Sequence, residues 1–236
     1  MTILNHKYIK NNITTNDGKE DVKYRWSHGA TDKHLGDGML IYSLIYYHKF
    51  QTCVCLGSGG GFIPRIMSQA KIDLQKEGFK NINTNTILVD AVNGVNGEPD
   101  WTEDSSFLRG NFRIEFLKQT TEKAYYDYFC KRDIKIDFLH IDADHTFEGV
   151  KKDFKLYKNI MSDGGIITIH DTDKNYVDNF IEVEGHEDYD LSGPSEWLRK
   201  FTISSEYDDF EVLNLFNYGK NKEYPTSTGL TILRKK

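Results

Sequence analysis

Two short stretches concentrate side chains that do chemistry: HIDADHTFEG at 140–149 and ITIHDTD at 167–173. Each grows out of an apolar run, so each sets its carboxylates just past the end of a buried strand. Carboxylates brought side by side repel unless a cation lies between them, and oxygen donors with positions left open suit Mg²⁺. Asp142 and Asp171 are the expected pair, with Thr172 as a third oxygen. His145 is the expected general base, because an imidazole titrates near neutral pH and can take a proton from a hydroxyl. A cation beside it lowers the pKa of a bound hydroxyl. The same residues have plainer uses: Asp144 can cap a helix beginning near Thr146, Asp171 can make a turn, and His170 can support or pack.

The second constellation is the turn Gly57-Ser58-Gly59-Gly60-Gly61, between an apolar strand pattern and a helical one. Glycines there let the backbone turn tightly and let a ligand approach without side chains in the way, and the free N–H groups of the helix start add a polar cradle. A dinucleotide fingerprint needs a small residue three after Gly59, where this chain has Phe62. No P-loop lysine comes after the glycines, which excludes an ATP or GTP site of that kind. Asp90, ending TILVD, stands where an acid accepts hydrogen bonds from both hydroxyls of a ribose.

The elements that must position these groups alternate strand and helix. Strands are expected at 51–56, 86–89, 113–118, 136–141 and 166–170, with closing strands at 210–216 and 229–233. Helices are expected at 63–77, 122–130, 147–161 and 195–201, with a turn at Asp163-Gly164-Gly165 before the fifth strand. A further helical stripe, Leu35, Met39, Tyr42, Ile45 and Tyr46, should pack on the α/β core. This order implies a doubly wound α/β fold, with a mostly parallel seven-stranded sheet and an antiparallel C-terminal hairpin. In such sheets ligands bind outside the carboxyl ends of the strands, where the glycine turn and both acidic stretches fall.

The 236 residues are read as one domain: an N-terminal arm or lid with its helix at 1–40, and a core at 51–236 whose substrate loops lie near 91–110 and 173–195. Against 36 acidic residues stand 30 basic ones, a net charge of −6, so a nucleic-acid backbone gains nothing from this surface. No apolar stretch is long enough to span a bilayer, and the first residues have no secretory pattern, so a cytoplasmic location without a membrane partner is expected. Cys53 and Cys55, on one face of a strand, read as small buried hydrophobes. Trp26, Trp101 and Trp197 can line an acceptor pocket or belong to the core.

These features together resemble a known family. The glycine pattern is similar to motif I of the class I S-adenosylmethionine (SAM)-dependent methyltransferases. IDADHTFEGVKKDFKLYKNIMSDGGIITIHDT (141–172) resembles the branch with an I-D-x-D-H-[ST]-[FY]-E-G-V signature. The resemblance implies a Rossmann-like methyltransferase fold and a SAM site at Gly57, Ser58, Gly59, Gly61, Asp90, Ala91, Thr120, Thr121 and Asp142, the threonines lying where such enzymes contact adenine. Metal-dependent O-methyltransferases of the catechol and caffeoyl-CoA type carry a similar D-A-D-K and D-N. Their metal aspartates fall on Asp142 and Asp171, their asparagine on Thr172 and their lysine base on His145.

The implied function is a metal-assisted O-methyltransferase acting on a small hydroxylated acceptor such as a sugar or secondary metabolite. A metal-independent O- or N-methyltransferase, a SAM-binding module without catalysis, and a homo-oligomeric assembly stay open. An NAD-dependent oxidoreductase is disfavoured by Phe62.

Overall fold

The computed structural model describes residues 5–13, 27–31, 34–57, 59–91, 110–174, 192–216 and 227–236. Ser58, Trp26, Trp101 and most of the expected substrate loops lie outside them. Seven strands form one sheet: β1 (Cys53–Leu56), β2 (Thr86–Asp90), β3 (Ile114–Lys118), β4 (Ile136–Ile141), β5 (Met161–His170), β6 (Phe210–Leu215) and β7 (Leu230–Lys235). Their order is β3-β2-β1-β4-β5-β7-β6. The first five run parallel, and β7 is antiparallel to both β5 and β6.

Helices with described bounds accompany the sheet: α1 (His6–Tyr8), α2 (Asp37–His48), α3 (Phe62–Lys76), α4 (Thr121–Ala124), α5 (Phe147–Tyr157) and α6 (Ser192–Phe201). Alternation along β1 sends Cys53 and Cys55 to one face and Val54 and Leu56 to the other. The first face packs with Ile41, Tyr42 and Ile45 of α2 and Ile66 and Met67 of α3. The second packs with Val150 and Phe154 of α5 and Trp197 and Phe201 of α6. Trp197 is therefore a core residue, its ring 4.9 Å from Phe154 and 4.8 Å from Phe201. Both β1 cysteines are buried, and burial pushes the Cys53 thiol up to about 11.

Two elements differ from the sequence expectation. The turn expected at Asp163-Gly164-Gly165 lies within β5, which starts at Met161. Between the pairs Ile136↔Met161 and Phe138↔Ile166 the register shifts, so the extra residues bulge out of the ladder, with Gly164 at φ +73°. The helix expected over 122–130 is α4, then a π-helical turn Tyr125–Phe129 and a 3₁₀ turn Cys130–Arg132. Among the described residues no helix is long and apolar enough to cross a membrane.

Candidate functional site

Strand order reverses at β1, with β2 on one side and β4 on the other, and the crevice beyond their carboxyl ends is where such sheets bind ligands. The glycine turn leaves β1 there, tied down by Gly57 N–H donating to the Val89 carbonyl (2.9 Å). Asp142 leaves β4 beside it, its N–H donating to the Leu56 carbonyl (2.9 Å). The two backbones touch: a Cβ on Gly57, at φ +91°, would lie 2.0 Å from the Asp142 carbonyl oxygen. A Cβ on Gly59 would meet none of the described residues within 4 Å. The turn is clamped from below by buried Arg65 of α3, whose Nε donates to the Gly61 carbonyl (2.7 Å) and Nη2 to the Gly60 carbonyl (3.0 Å).

The loop carrying His145 is fixed by two local bonds. Asp144 Oδ1 accepts from Thr146 N–H (2.9 Å), and the Thr146 hydroxyl caps α5 by accepting from Gly149 N–H (3.0 Å). α6 packs so closely on this loop that a Cβ on Gly193 would come within 2.1 Å of the His145 carbonyl oxygen. Asp171, just past β5, has a left-handed φ of +57°, which few residue types besides glycine, asparagine and aspartate tolerate.

These constraints bring Asp142, His145 and Asp171 together. His145 Nε2 lies 3.2 Å from Asp142 Oδ1 and 3.1 Å from Asp171 Oδ2. Asp171 is buried, while Asp142 and His145 keep 21% and 24% of their side-chain surface exposed. Three further histidines surround the pair. His170 Nδ1 is 3.2 Å from both Asp142 Oδ1 and Asp171 Oδ1. His140 Nε2 is 3.8 Å, and His28 Nε2 3.7 Å, from Asp142 Oδ2. The Thr228 hydroxyl donates to Asp171 Oδ1.

The electrostatics divide the histidines into two kinds. For His145, burial opposes the charged ring, but its bonds to Asp142 and Asp171 prevail and hold it up at about 10. For His170 burial again opposes, and the charges of Asp171 and Asp142 raise it well above the usual range. Burial lowers His28, helped by the charge of His170, and burial lowers His140. Both aspartates are pushed up by burial but held far below the usual carboxylate range by His170 and the surrounding hydrogen bonds. The carboxylate charges thus favour the protonated rings of His145 and His170, and burial favours the neutral rings of His28 and His140.

The other expected residues lie along the same rim. Asp90 ends β2, half-buried, with Ala91 exposed beyond it. Thr120 caps α4, accepting from Lys123 N–H (3.3 Å), and the Thr121 hydroxyl donates to Asp153 Oδ1 (2.5 Å). The Thr172 hydroxyl is bonded to that of Thr231 on β7 (3.0 Å). Sequence reasoning missed His140 and His28. His140 was readable, because it stands two before Asp142 on a strand and so shares its face. His28 comes from a distant segment with no local signal.

A methyltransferase-domain family model matches residues 54–172. No curated protein matches the chain. Among solved structures, the O-methyltransferase from Bacillus cereus, in complex with S-adenosylhomocysteine (SAH), superposes with a TM-score of 0.59 at 13% identity, over 98% of this chain and 96% of that one. TomG, a Streptomyces achromogenes O-methyltransferase of tomaymycin synthesis in complex with SAM, gives 0.60 at 12% identity over 92% and 91%. The SAH-bound methyltransferase PaMTH1 from Podospora anserina gives 0.56 at 14% identity over 88% and 80%.

Proposed function

The chain belongs to the methyltransferase-domain family, and from that premise we propose that it moves the methyl group of SAM onto a hydroxyl of a small molecule, such as a sugar or a secondary metabolite, assisted by a divalent cation. The observation that carries this reading is the convergence of Asp142, His145 and Asp171 beside the glycine turn. The SAH and SAM complexes of structures with the same fold support the cofactor, and two of their names support oxygen as the acceptor.

In this reading Gly57, Ser58, Gly59 and Gly61 receive the methionine end of SAM. Asp90 takes the ribose hydroxyls beside Ala91, and Thr120 and Thr121 border the adenine. Asp142, His145 and Asp171 offer one ligand atom each, all within 4.8 Å of one another, which fits a cation held by Asp142 and Asp171; Thr172 would add its oxygen only by giving up its bond to Thr231. Such a cation supplies the positive charge that imidazoliums otherwise bring to the carboxylates, and it lowers the pKa of a hydroxyl brought to it. His145 then accepts the hydroxyl proton as the oxygen attacks the methyl carbon in line. The carbon–sulfur bond breaks with its electron pair staying on sulfur, so the sulfonium leaves as the neutral thioether SAH. The exposed surface of Asp142 and His145 gives the acceptor access to both.

Two measurements test this. Replacing His145 with Gln lowers kcat by about 10²–10⁴-fold, the usual range for a lost general base, while calorimetric SAM affinity is kept. Exhaustive EDTA treatment abolishes transfer, and added divalent ion restores it. Full activity after chelation removes the cation from the mechanism and leaves His145 working alone. Unchanged transfer by H145Q removes the base.

A further inference from the structure

We infer that the cation of this rim is bound through imidazole nitrogen as well as carboxylate oxygen, by His28 and His170 beside Asp142, and is therefore a first-row transition ion such as Fe²⁺, Co²⁺ or Zn²⁺ rather than Mg²⁺. This rests on the cation-assisted reading above and adds which ion and which ligands. His28, Asp142 and His170 each offer one ligand atom, all within 4.8 Å of one another, separately from the grouping of Asp142, His145 and Asp171.

Hydrogen bonding fixes which nitrogen of His170 is available. Its Nε2 lies 3.1 Å from the Ser27 carbonyl oxygen, which can only accept, so Nε2 carries hydrogen. Nδ1 then lies 3.2 Å from each of two carboxylates, a place that must hold a positive charge, either the imidazolium proton or a metal ion in its stead. Donation of the outer N–H to a backbone carbonyl is also how ligating histidines are oriented.

The tautomer of His140 is fixed in the same way. The Thr168 hydroxyl donates to the Leu139 carbonyl (3.2 Å), so it accepts from His140 Nδ1 (2.9 Å). His140 Nε2 is left as a lone pair, buried, without a hydrogen-bond partner among the described residues and 3.8 Å from Asp142 Oδ2. His28 is buried too, its Nδ1 without a hydrogen-bond partner among the described residues and its Nε2 3.7 Å from that carboxylate oxygen, beyond hydrogen-bond reach. Buried imidazole lone pairs converging on one carboxylate are unfavourable without a cation among them. Imidazole donors suit Fe, Co and Zn, whereas Mg²⁺ takes oxygen and keeps its waters.

The test is made on the full chain with Co²⁺ alone as probe, followed by visible absorption, proton NMR and calorimetry. Wild type is expected to show exchangeable, paramagnetically shifted imidazole N–H signals, one of them from the His170 N–H held by Ser27. H28Q and H170Q are each expected to lose one signal and to weaken Co²⁺ binding at least roughly tenfold, with Mg²⁺ binding little changed. The wild-type spectrum needs no variant to fold, and H28Q alters a residue outside the sheet. Absence of imidazole signals from bound Co²⁺, or signals that survive in H28Q and H170Q but vanish in H145Q, overturns the assignment and leaves the cation-assisted reading standing. Imidazole-bound Co²⁺ together with full activity after chelation does the reverse. Failure of any divalent ion to bind overturns both.

Discussion

Gly57 and Gly59 stand two residues apart in one turn, both with left-handed backbone, yet an added methyl group would meet different surroundings. At Gly57 it would collide with the Asp142 carbonyl; at Gly59 it would meet none of the described residues. G57A is therefore expected to lose about 3 kcal/mol or more of stability, because the backbone under the acid must move. G59A is expected to lose only about 1 kcal/mol, the cost of the left-handed conformation, while weakening SAM binding. Urea unfolding paired with SAM calorimetry separates the two, and equal stability losses would contradict the contact geometry. Asp142 and Asp171 were legible as a pair because strand periodicity puts both at one rim. The charge state of His145 was not legible, since it depends on contact with two carboxylates that only the folded chain supplies.

Legibility at the scale of elements followed the strength of the periodic signal. Strands with a strong apolar pattern, such as 136–141, fell where expected, whereas Asp163-Gly164-Gly165 carries turn residues that a bulge uses equally well. The pairing of α4 with α5 illustrates a cost invisible in sequence. Asp153 of α5 is buried against Thr121 of α4, and burial pushes its carboxyl up from 3.8 to about 6, only partly opposed by the Thr121 hydrogen bond. Its folded pKa lies above its unfolded one, so its favourable contribution is full below pH 4 and is lost as pH rises through 6. D153N is expected to be more stable than wild type at pH 8 by about 2–3 kcal/mol, the equivalent of a shift of that size, with the gap closing toward pH 4. Denaturant curves at both ends of this range check the sign; a variant less stable at pH 8 would show that the ionised carboxylate is structurally needed.

For the whole molecule, a doubly wound, mostly parallel sheet with an antiparallel closing hairpin was implied by the alternation of strand and helix, and the sheet has that architecture. What alternation does not encode is that the N-terminal segment is built into the rim: Asn12 offers its carbonyl to Arg65 (3.4 Å), and Ser27 and His28 reach the aspartates' surroundings. A ligand held between glycine turn and rim stabilises the whole chain by mass action. SAH at a hundred times its Kd is expected to add about 2.7 kcal/mol, which for a chain of this size raises Tm by roughly 5–10 °C. NAD is expected to give no shift, and a comparable shift with NAD would return the glycine turn to dinucleotides.

The contact between Ser27 and Thr228 spans 201 positions along the chain, its backbone bond measuring 2.7 Å. The carbonyl that orients His170 and the hydroxyl that bonds Asp171 thus come from opposite ends of the sequence. During synthesis His28 emerges early and waits for nearly the whole chain before the rim can close around it. Pairings of such long range are slow to form, because loop closure precedes any reward from the contact. A refolding chain should therefore regain its parallel strands before it regains affinity for the proposed metal ion, and the interval between those two events would time the docking of the last strand.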